Sequence, residues 1–197
     1  MKLSQIAEKI HTGQIISRVE AKEEIGDPVL EIRKVLVPRA ISNGRVNPDD
    51  LGEVKLKKLV DEDRITQSGD IVLKLSTPYD AAYIEGGEDT GLVVPSFCLI
   101  VRGIDVRKAN PKFIISYINT GYVRSILKSK VSSISIPVLK LGDVKELDIP
   151  SVGIERQELI ARAYELSCQK QRLLKEMKDN EKTIMESLVI NAVRESV

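Results

Sequence analysis

The longest regular pattern of apolar and polar positions lies near the C-terminal end of the chain. Residues 155–192 contain no Gly or Pro, and apolar side chains recur there at near-heptad spacing. Such a narrow stripe predicts one long helix with a seam for a partner helix, since a core helix has a wider apolar face. The apolar seam consists of Leu159, Ala163, Leu166, Leu173, Met177, Ile184 and Leu188, with polar Lys170 and Asn180 on the same line. The alternative is a helix folded along its own domain. Roughly 35 helical residues would span about 50 Å, however, which is longer than the globular part needs.

The first hundred residues mix one helical pattern with several β patterns. The segment KLSQIAEKIHTG has apolar residues at helical spacing and predicts a first helix that ends near Gly13. Alternating or β-branched runs predict strands in VLEIRKVLV, GDIVLKLS and GLVVPSFCLIVRG. Asn43 and Gly44 predict a hairpin turn between strands, because both residues tolerate the positive φ of a type I′ turn.

Helical spacing returns in the segment NPKFIISYINTGYVRSILKSK. Asn110 is the predicted N-cap and Pro111 the first helical residue, and Gly121 interrupts the pattern. The next segment, SSISIPVLKLGDVKELDIP, predicts short strands or a strand and one helical turn, ending at Pro150. The predicted fold class is α+β. A domain at 1–150 has a mixed, curved β-sheet and small helices, and 151–197 forms a long coiled-coil-type helix.

Composition indicates a globular protein with a hydrophobic core. The hydrophobic content is 42%, and no apolar run approaches the length of a membrane span. The first residues lack the apolar segment of a signal peptide. Cys98 and Cys168 have no paired spacing and are predicted to be reduced thiols, Cys98 as a small buried side chain. We therefore expect a soluble, cytoplasmic protein with no membrane partner.

The charge distribution is uneven along the chain. Residues 1–101 carry 13 Lys/Arg against 17 Asp/Glu, whereas residues 102–145 carry 9 against 2. The second block is consistent with a positive face for a polyanion or with ordinary solvated surface.

Residues that could carry out catalysis are scarce. His11 is the single histidine, no Cys/His cluster offers zinc ligands, and no Gly-rich phosphate loop follows a strand. We therefore predict no catalytic residue, no metal site and no cofactor. Asp49 followed by Glu53 and Lys55 is similar to a metal-dependent nuclease signature. Because a hairpin does not easily bring Asp49 and Glu53 together, nuclease activity is kept only as a minor hypothesis.

Several segments, in their order and spacing, resemble the DNA specificity (S) subunit of type I restriction–modification enzymes. The resembling segments are KLSQIAEKIHTG, VPRAISNGRVN, SGDIVLKLSTPYDAAYIEGG, the helix and basic turn from NPKF to LDIP, and IERQELIARAYELSCQKQRLL. The match in the last segment depends on Gln157; Arg156 stands where the family commonly has Glu. Family members usually carry two recognition domains and two antiparallel helices, so this chain is similar to a half-length form.

The resemblance implies a non-catalytic subunit that directs other subunits to DNA. Its implied partners are double-stranded DNA, a DNA methyltransferase subunit and a restriction subunit. Because this chain is similar to only half of a family member, the resemblance also implies a homodimer formed through the long helix. The bipartite target would then be read one half by each recognition domain. A coiled-coil adaptor or decoy with the same fold and no DNA recognition is the alternative.

Candidate DNA contacts lie on predicted turns, since loops carry base readout while phosphate contacts position the protein. Arg is suited to guanine and Asn to adenine. The candidates are Arg39, Asn43, Arg45, Lys74, Ser76, Thr77, Tyr79, Arg124, Lys128, Lys130, Ser132 and Ser133.

Overall fold

Eight strands and four α-helices make up the part of the chain that the structure describes, with short 3₁₀ turns between them. The computed structural model describes residues 1–22, 24, 26–131 and 138–194. The strands are β1 (Ala7–Thr12), β2 (Glu31–Val35), β3 (Ile41–Ser42), β4 (Arg45–Val46), β5 (Gly52–Leu56), β6 (Ile71–Lys74), β7 (Ala81–Tyr83) and β8 (Cys98–Ile104). The helices are α1 (Pro111–Ile118), α2 (Gly121–Ser129), α3 (Leu141–Lys145) and α4 (Ile154–Arg194). The predicted α+β class is confirmed. No helix within these described ranges is long and apolar enough to cross a membrane.

A four-stranded sheet in the order β1-β8-β6-β7 forms the centre of the fold. Its ladders are antiparallel, as are the separate pairs β2–β5 and β3–β4. Parallel pairing occurs at isolated bridges, including Gly44 with Ala82 and Val35 with Val93. The order leaves β7 at one edge of the sheet, and the bridge at Ala82 places the β3–β4 hairpin beside that edge.

Both faces of the central strands are buried, which explains their near-continuous apolar sequence. On β6, Ile71 and Leu73 belong to a cluster that includes apolar residues of α1, α2 and α3. Val72, between them, belongs to a second cluster that includes Ile41 of the hairpin and Ile100 of β8. Because side chains alternate along a strand, β6 connects the two clusters. Complete burial of such a side chain contributes roughly 1.5–3 kcal/mol.

The first predicted helix is wrong. Residues Leu3–Gln5 form a 3₁₀ turn, and Ala7–Thr12 form β1, which pairs with β8 from Ala7–Ile104 to Thr12–Leu99. Four apolar positions in a short window fit a helix, but the ladder with β8 satisfies the backbone of this segment instead. His11 therefore lies on a strand.

The predicted turn and caps are confirmed. Asn43 and Gly44 have φ values of 50° and 77°, the left-handed region that their turn requires. The Asn110 side chain accepts hydrogen bonds from two backbone N–H groups of the first turn of α1, and Pro111 is the first residue of that helix. Gly121 does interrupt the helical pattern, because α2 starts there as a new helix.

The long C-terminal helix is also confirmed, as α4 runs for 41 residues without interruption. The chain divides into two compact units, Met1–Ala161 and Arg162–Val197. The first unit therefore extends past Pro150 and includes the beginning of α4. Gln157 is buried there: its side-chain oxygen accepts from the Asn110 N–H at 2.8 Å, and its amide nitrogen donates to the carbonyl of Val152 at 2.6 Å.

Candidate nucleic-acid interface

Two carboxylates at the ends of the edge strand β7 connect segments that are distant in sequence. Asp80 precedes β7 and Glu85 follows it shortly after. Each carboxylate forms ion pairs with two cations from two different elements. The ion pairs therefore bring predicted site residues together along one edge of the sheet.

Asp80 holds the end of β6 against α2. The Lys74 ammonium donates to one Asp80 oxygen at 2.9 Å, and the Arg124 guanidinium donates to the other. The Lys74 and Asp80 side chains are 9% and 10% exposed, whereas Arg124 is 36% exposed. Burial of Lys74 and Asp80 means that each needs the other, because an unpaired charge in this position is costly.

Glu85 lies between the β3–β4 hairpin and α1. One carboxylate oxygen of Glu85 lies 2.8 Å from the Lys112 ammonium and 4.0 Å from a guanidinium nitrogen of Arg45. The Lys112 ammonium also lies 5.7 Å from the ring centre of Tyr83 on β7, within cation–π range. The hydrogen bond from Lys112 lowers the pKa of Glu85, so this carboxylate is ionised at neutral pH.

Backbone contacts explain why these side chains meet. The Tyr83 N–H donates to the carbonyl of Gly44 at 3.1 Å, which fixes the hairpin turn next to β7. On the other side, the side chain of Asn119, at the end of α1, accepts from the N–H of Ala81 at 2.8 Å and donates to its carbonyl at 2.9 Å. The edge strand is thus held between the hairpin and α1.

The structure divides the predicted DNA-contact residues into exposed and buried groups. Arg39, Asn43, Arg45, Thr77, Lys128 and Lys130 are exposed, and Ser76 and Arg124 are half-buried. Lys74 and Tyr79 are buried, so they support the loop between β6 and β7. Ser132 and Ser133 lie outside the described residues.

The exposed cations among the predicted residues form two groups, one around the β3–β4 hairpin and one at α2. Arg39 donates to the carbonyl of Asp50 at 3.2 Å, and Arg45 extends from the nearby hairpin. Lys128 lies one helical turn beyond Arg124 on the same side of α2, and Lys130 caps that helix. Acidic groups also lie among these cations, since Asp89 interacts electrostatically with both Arg45 and Glu85.

Sequence reasoning missed Asp80, Glu85 and Lys112 as members of this face. Lys112 belonged to the basic block of residues 102–145, but nothing in its local sequence distinguishes it from the other lysines. Asp80 and Glu85 are single acidic residues beside a short strand, and their partners come from elsewhere in the chain. Only the pairing of β7 with its neighbours reveals their role.

The predicted apolar seam is exposed along α4. Its large side chains, from Leu159 to Leu188, are between 49% and 68% exposed. Further apolar residues of the same helix are also exposed, among them Leu174, Met185 and Val189. Exposed apolar side chains in this number are typical of a protein–protein contact surface.

No other described cluster suggests catalysis. No group of three potential metal ligands occurs among the described residues. Asp49 lies in a 3₁₀ turn and Glu53 is an exposed residue of β5. The pKa of His11 is lowered, first by burial and then by the charges of Arg64 and Lys9. Burial raises the pKa of Cys98 to about 12, so this thiol is protonated and unreactive at neutral pH.

The fold is shared with chains of type I restriction–modification systems. No protein-family model and no curated protein matches the sequence. One solved structure with this fold is the HsdS subunit from Thermoanaerobacter tengcongensis, with a TM-score of 0.63 and 16% identity over 95% of this chain and 46% of that one. Another, from a study of complex assembly and conformational transition of the type I R-M system, has a TM-score of 0.63 and 15% identity over 96% of this chain and 47% of that one. This chain thus spans less than half the length of each.

Proposed function

We propose that this chain is a DNA specificity subunit of a type I restriction–modification methyltransferase complex. Residues 1–150 serve as its target recognition domain, which reads one half of a bipartite site. The observation that carries the proposal is the fold shared with HsdS over 95% of the chain. In this role the chain is non-catalytic, and a methyltransferase subunit acts where it binds.

The charge of the candidate interface supports contact with duplex DNA. Arg39 lies directly before the β3–β4 hairpin and Arg45 within it, while Lys128 and Lys130 lie on α2 and at its end. Lysines on a helix suit sequence-independent phosphate contacts, which supply most of the salt-dependent affinity. Arginines at a hairpin suit guanine, because a guanidinium pairs with its O6 and N7 atoms together.

Residues 151–197 serve as a pairing helix in this proposal. At 1.5 Å per residue, α4 is about 60 Å long. Its exposed apolar seam suits a second helix, and the polar Lys170 and Asn180 in the seam would fix the register of that pair. A closed twofold dimer uses the same patch on both copies. The target of such a dimer mirrors its axis, so we expect two inverted half-sites separated by unread base pairs.

The exposed seam by itself also supports a second candidate, an adaptor or decoy that binds only protein. This candidate needs no contact with DNA. Binding to duplex DNA therefore separates the two candidates.

The DNA-binding test removes Lys128 and Lys130 together. We expect Lys128→Ala/Lys130→Ala to weaken binding to all duplexes. The slope of log K against log salt should become less steep by about 1.8, which lowers the affinity roughly 60-fold at 0.1 M salt. Lys9→Ala/Lys58→Ala is the charge-matched control: Lys9 lies on β1, at the opposite edge of the sheet from β7, and Lys58 is an exposed residue of the loop after β5. Equal effects of the two double variants would contradict the placement of phosphate contacts on α2. Absence of DNA binding by the unaltered chain would favour the adaptor.

The pairing test places charge in the seam. We expect Leu166→Glu/Leu173→Glu to give a monomer that loses target recognition while the unit Met1–Ala161 stays folded. Gln171→Glu, exposed beside the seam, is the control and should remain dimeric. Light scattering at micromolar concentration, with and without the methyltransferase subunit, measures the oligomeric state of each variant. A monomeric unaltered chain, or a methylation site without inverted symmetry, would refute the dimer.

A further inference from the structure

Glu85, just after β7, lies between two solvent-accessible cations. Its carboxylate is within 2.8 Å of the Lys112 ammonium and 4.0 Å of the Arg45 guanidinium. The three side chains are 48%, 33% and 54% exposed, respectively, so a ligand can approach all of them from solvent. Lys112 comes from α1 and Arg45 from β4, and the carboxylate is the group they share.

A DNA phosphate would compete with Glu85 for the same two cations. Carboxylate and phosphate oxygens accept the same charge-assisted hydrogen bonds from Lys and Arg. A phosphate that reaches this point must either displace Glu85 or lie against its negative charge. Because the pKa of Glu85 is lowered, the carboxylate is charged at neutral pH and the competition is always present.

Competition of this kind affects target and non-target DNA differently. Non-target binding depends almost wholly on phosphate contacts, whereas target binding adds contacts to base edges. A carboxylate beside an arginine opposes its contact with a phosphate, but it does not oppose contact with the O6 and N7 acceptors of guanine in the same way. A carboxylate in the position of Glu85 would therefore weaken the first kind of binding more than the second.

From this geometry we infer that Glu85 is a specificity-determining residue: it withholds Arg45 and Lys112 from the phosphates of non-target DNA, and base contacts at the target are less affected. This inference rests on the proposed function as a DNA specificity subunit. It concerns the ratio of target to non-target affinity and does not concern binding as such.

The test uses the full chain and two duplexes. One is a random-sequence duplex, and the other is the duplex that the unaltered chain enriches most from a random pool. Glu85→Gln removes the charge with almost no change in shape, and Glu85→Asp keeps the charge as a second variant. Asp63→Asn is the matched control, because Asp63 also pairs with one lysine and one arginine, Lys9 and Arg102, and is 50% exposed.

Fluorescence anisotropy at several salt concentrations measures the affinities. We expect Glu85→Gln to tighten random-duplex binding about 8-fold at 0.1 M salt and to steepen the salt slope by about 0.9, the effect of one added phosphate contact. The ratio of enriched to random affinity should fall by at least the same factor. For Asp63→Asn and Glu85→Asp, the random-duplex affinity and the ratio of enriched to random affinity should stay within about twofold of the values for the unaltered chain.

Equal effects of Glu85→Gln and Asp63→Asn would overturn the inference while leaving the proposed function intact. An unchanged ratio in Glu85→Gln would also overturn it. If the unaltered chain and every variant fail to bind either duplex, the proposed function itself fails and the inference fails with it.

Discussion

Asp80 is a residue whose charge we expect to matter for folding. Asp80→Asn keeps the shape of the side chain but removes the negative charge between Lys74 and Arg124. Lys74 is only 9% exposed and donates to Asp80 at 2.9 Å. The variant therefore leaves a buried ammonium without its counter-charge.

The expected loss follows from the exposure of the two cations. Removing one partner of a buried ion pair costs roughly 3–5 kcal/mol, because the remaining charge stays desolvated. The ion pair between Asp80 and Arg124 adds little, because the Arg124 side chain is 36% exposed and pairs near the surface contribute about 0–1 kcal/mol. The amide oxygen of Asn still accepts one hydrogen bond, which places the loss at the low end. We expect Asp80→Asn to lower the free energy of unfolding by about 3 kcal/mol.

Urea unfolding at neutral pH measures this loss in the unit Met1–Ala161. The chain has no Trp, so near-ultraviolet circular dichroism of its tyrosines is the signal, and buried Tyr79 reports on the loop beside Asp80. Asp148→Asn, which removes the charge from an exposed pair with Lys2, is the control and should leave the unfolding midpoint unchanged.

A double variant makes the reasoning refutable. Lys74→Met/Asp80→Asn removes both charges, so most of the lost stability should return and the two single changes should not add. If Asp80→Asn matches Asp148→Asn, or if the effects of Lys74→Met and Asp80→Asn are additive, then Lys74 and Asp80 do not depend on each other.

Three further predictions concern the glycines, the thiols and the start of the long helix. Gly13→Ala should destabilise the fold by about 1–3 kcal/mol in urea unfolding, because the new Cβ would lie 2.2 Å from a backbone carbonyl oxygen. Gly142→Ala, with open space around its Cβ on a helix, should not destabilise it, and a loss there would contradict this view. A thiol reagent should label half-buried Cys168 in the folded chain, whereas Cys98, whose pKa is about 12, should react only after unfolding. Gln157→Ala should lower the free energy of unfolding by roughly 1–3 kcal/mol, since its buried side chain contacts three backbone groups.

Secondary structure was predicted correctly where the signal was local. Asn110 and Pro111 start α1 because an N-cap and its first turn involve only neighbouring residues. The hairpin at Asn43 and Gly44 depends on the φ angles of two adjacent residues. The first predicted helix failed because β1 is defined by its ladder with β8, far along the chain, which four apolar positions cannot indicate.

The sequence by itself determined the α+β class, the long helix with its apolar seam and the basic block, since each depends on residue types at short spacing. Tertiary structure alone decided which of the charged residues share a face. Arg45 and Lys112 meet at Glu85, and Lys74 meets Arg124 at Asp80, because strand pairing and helix packing carry these side chains to one sheet edge. An ion pair depends on distance in space, and only the folded sheet and its packed helices set that distance.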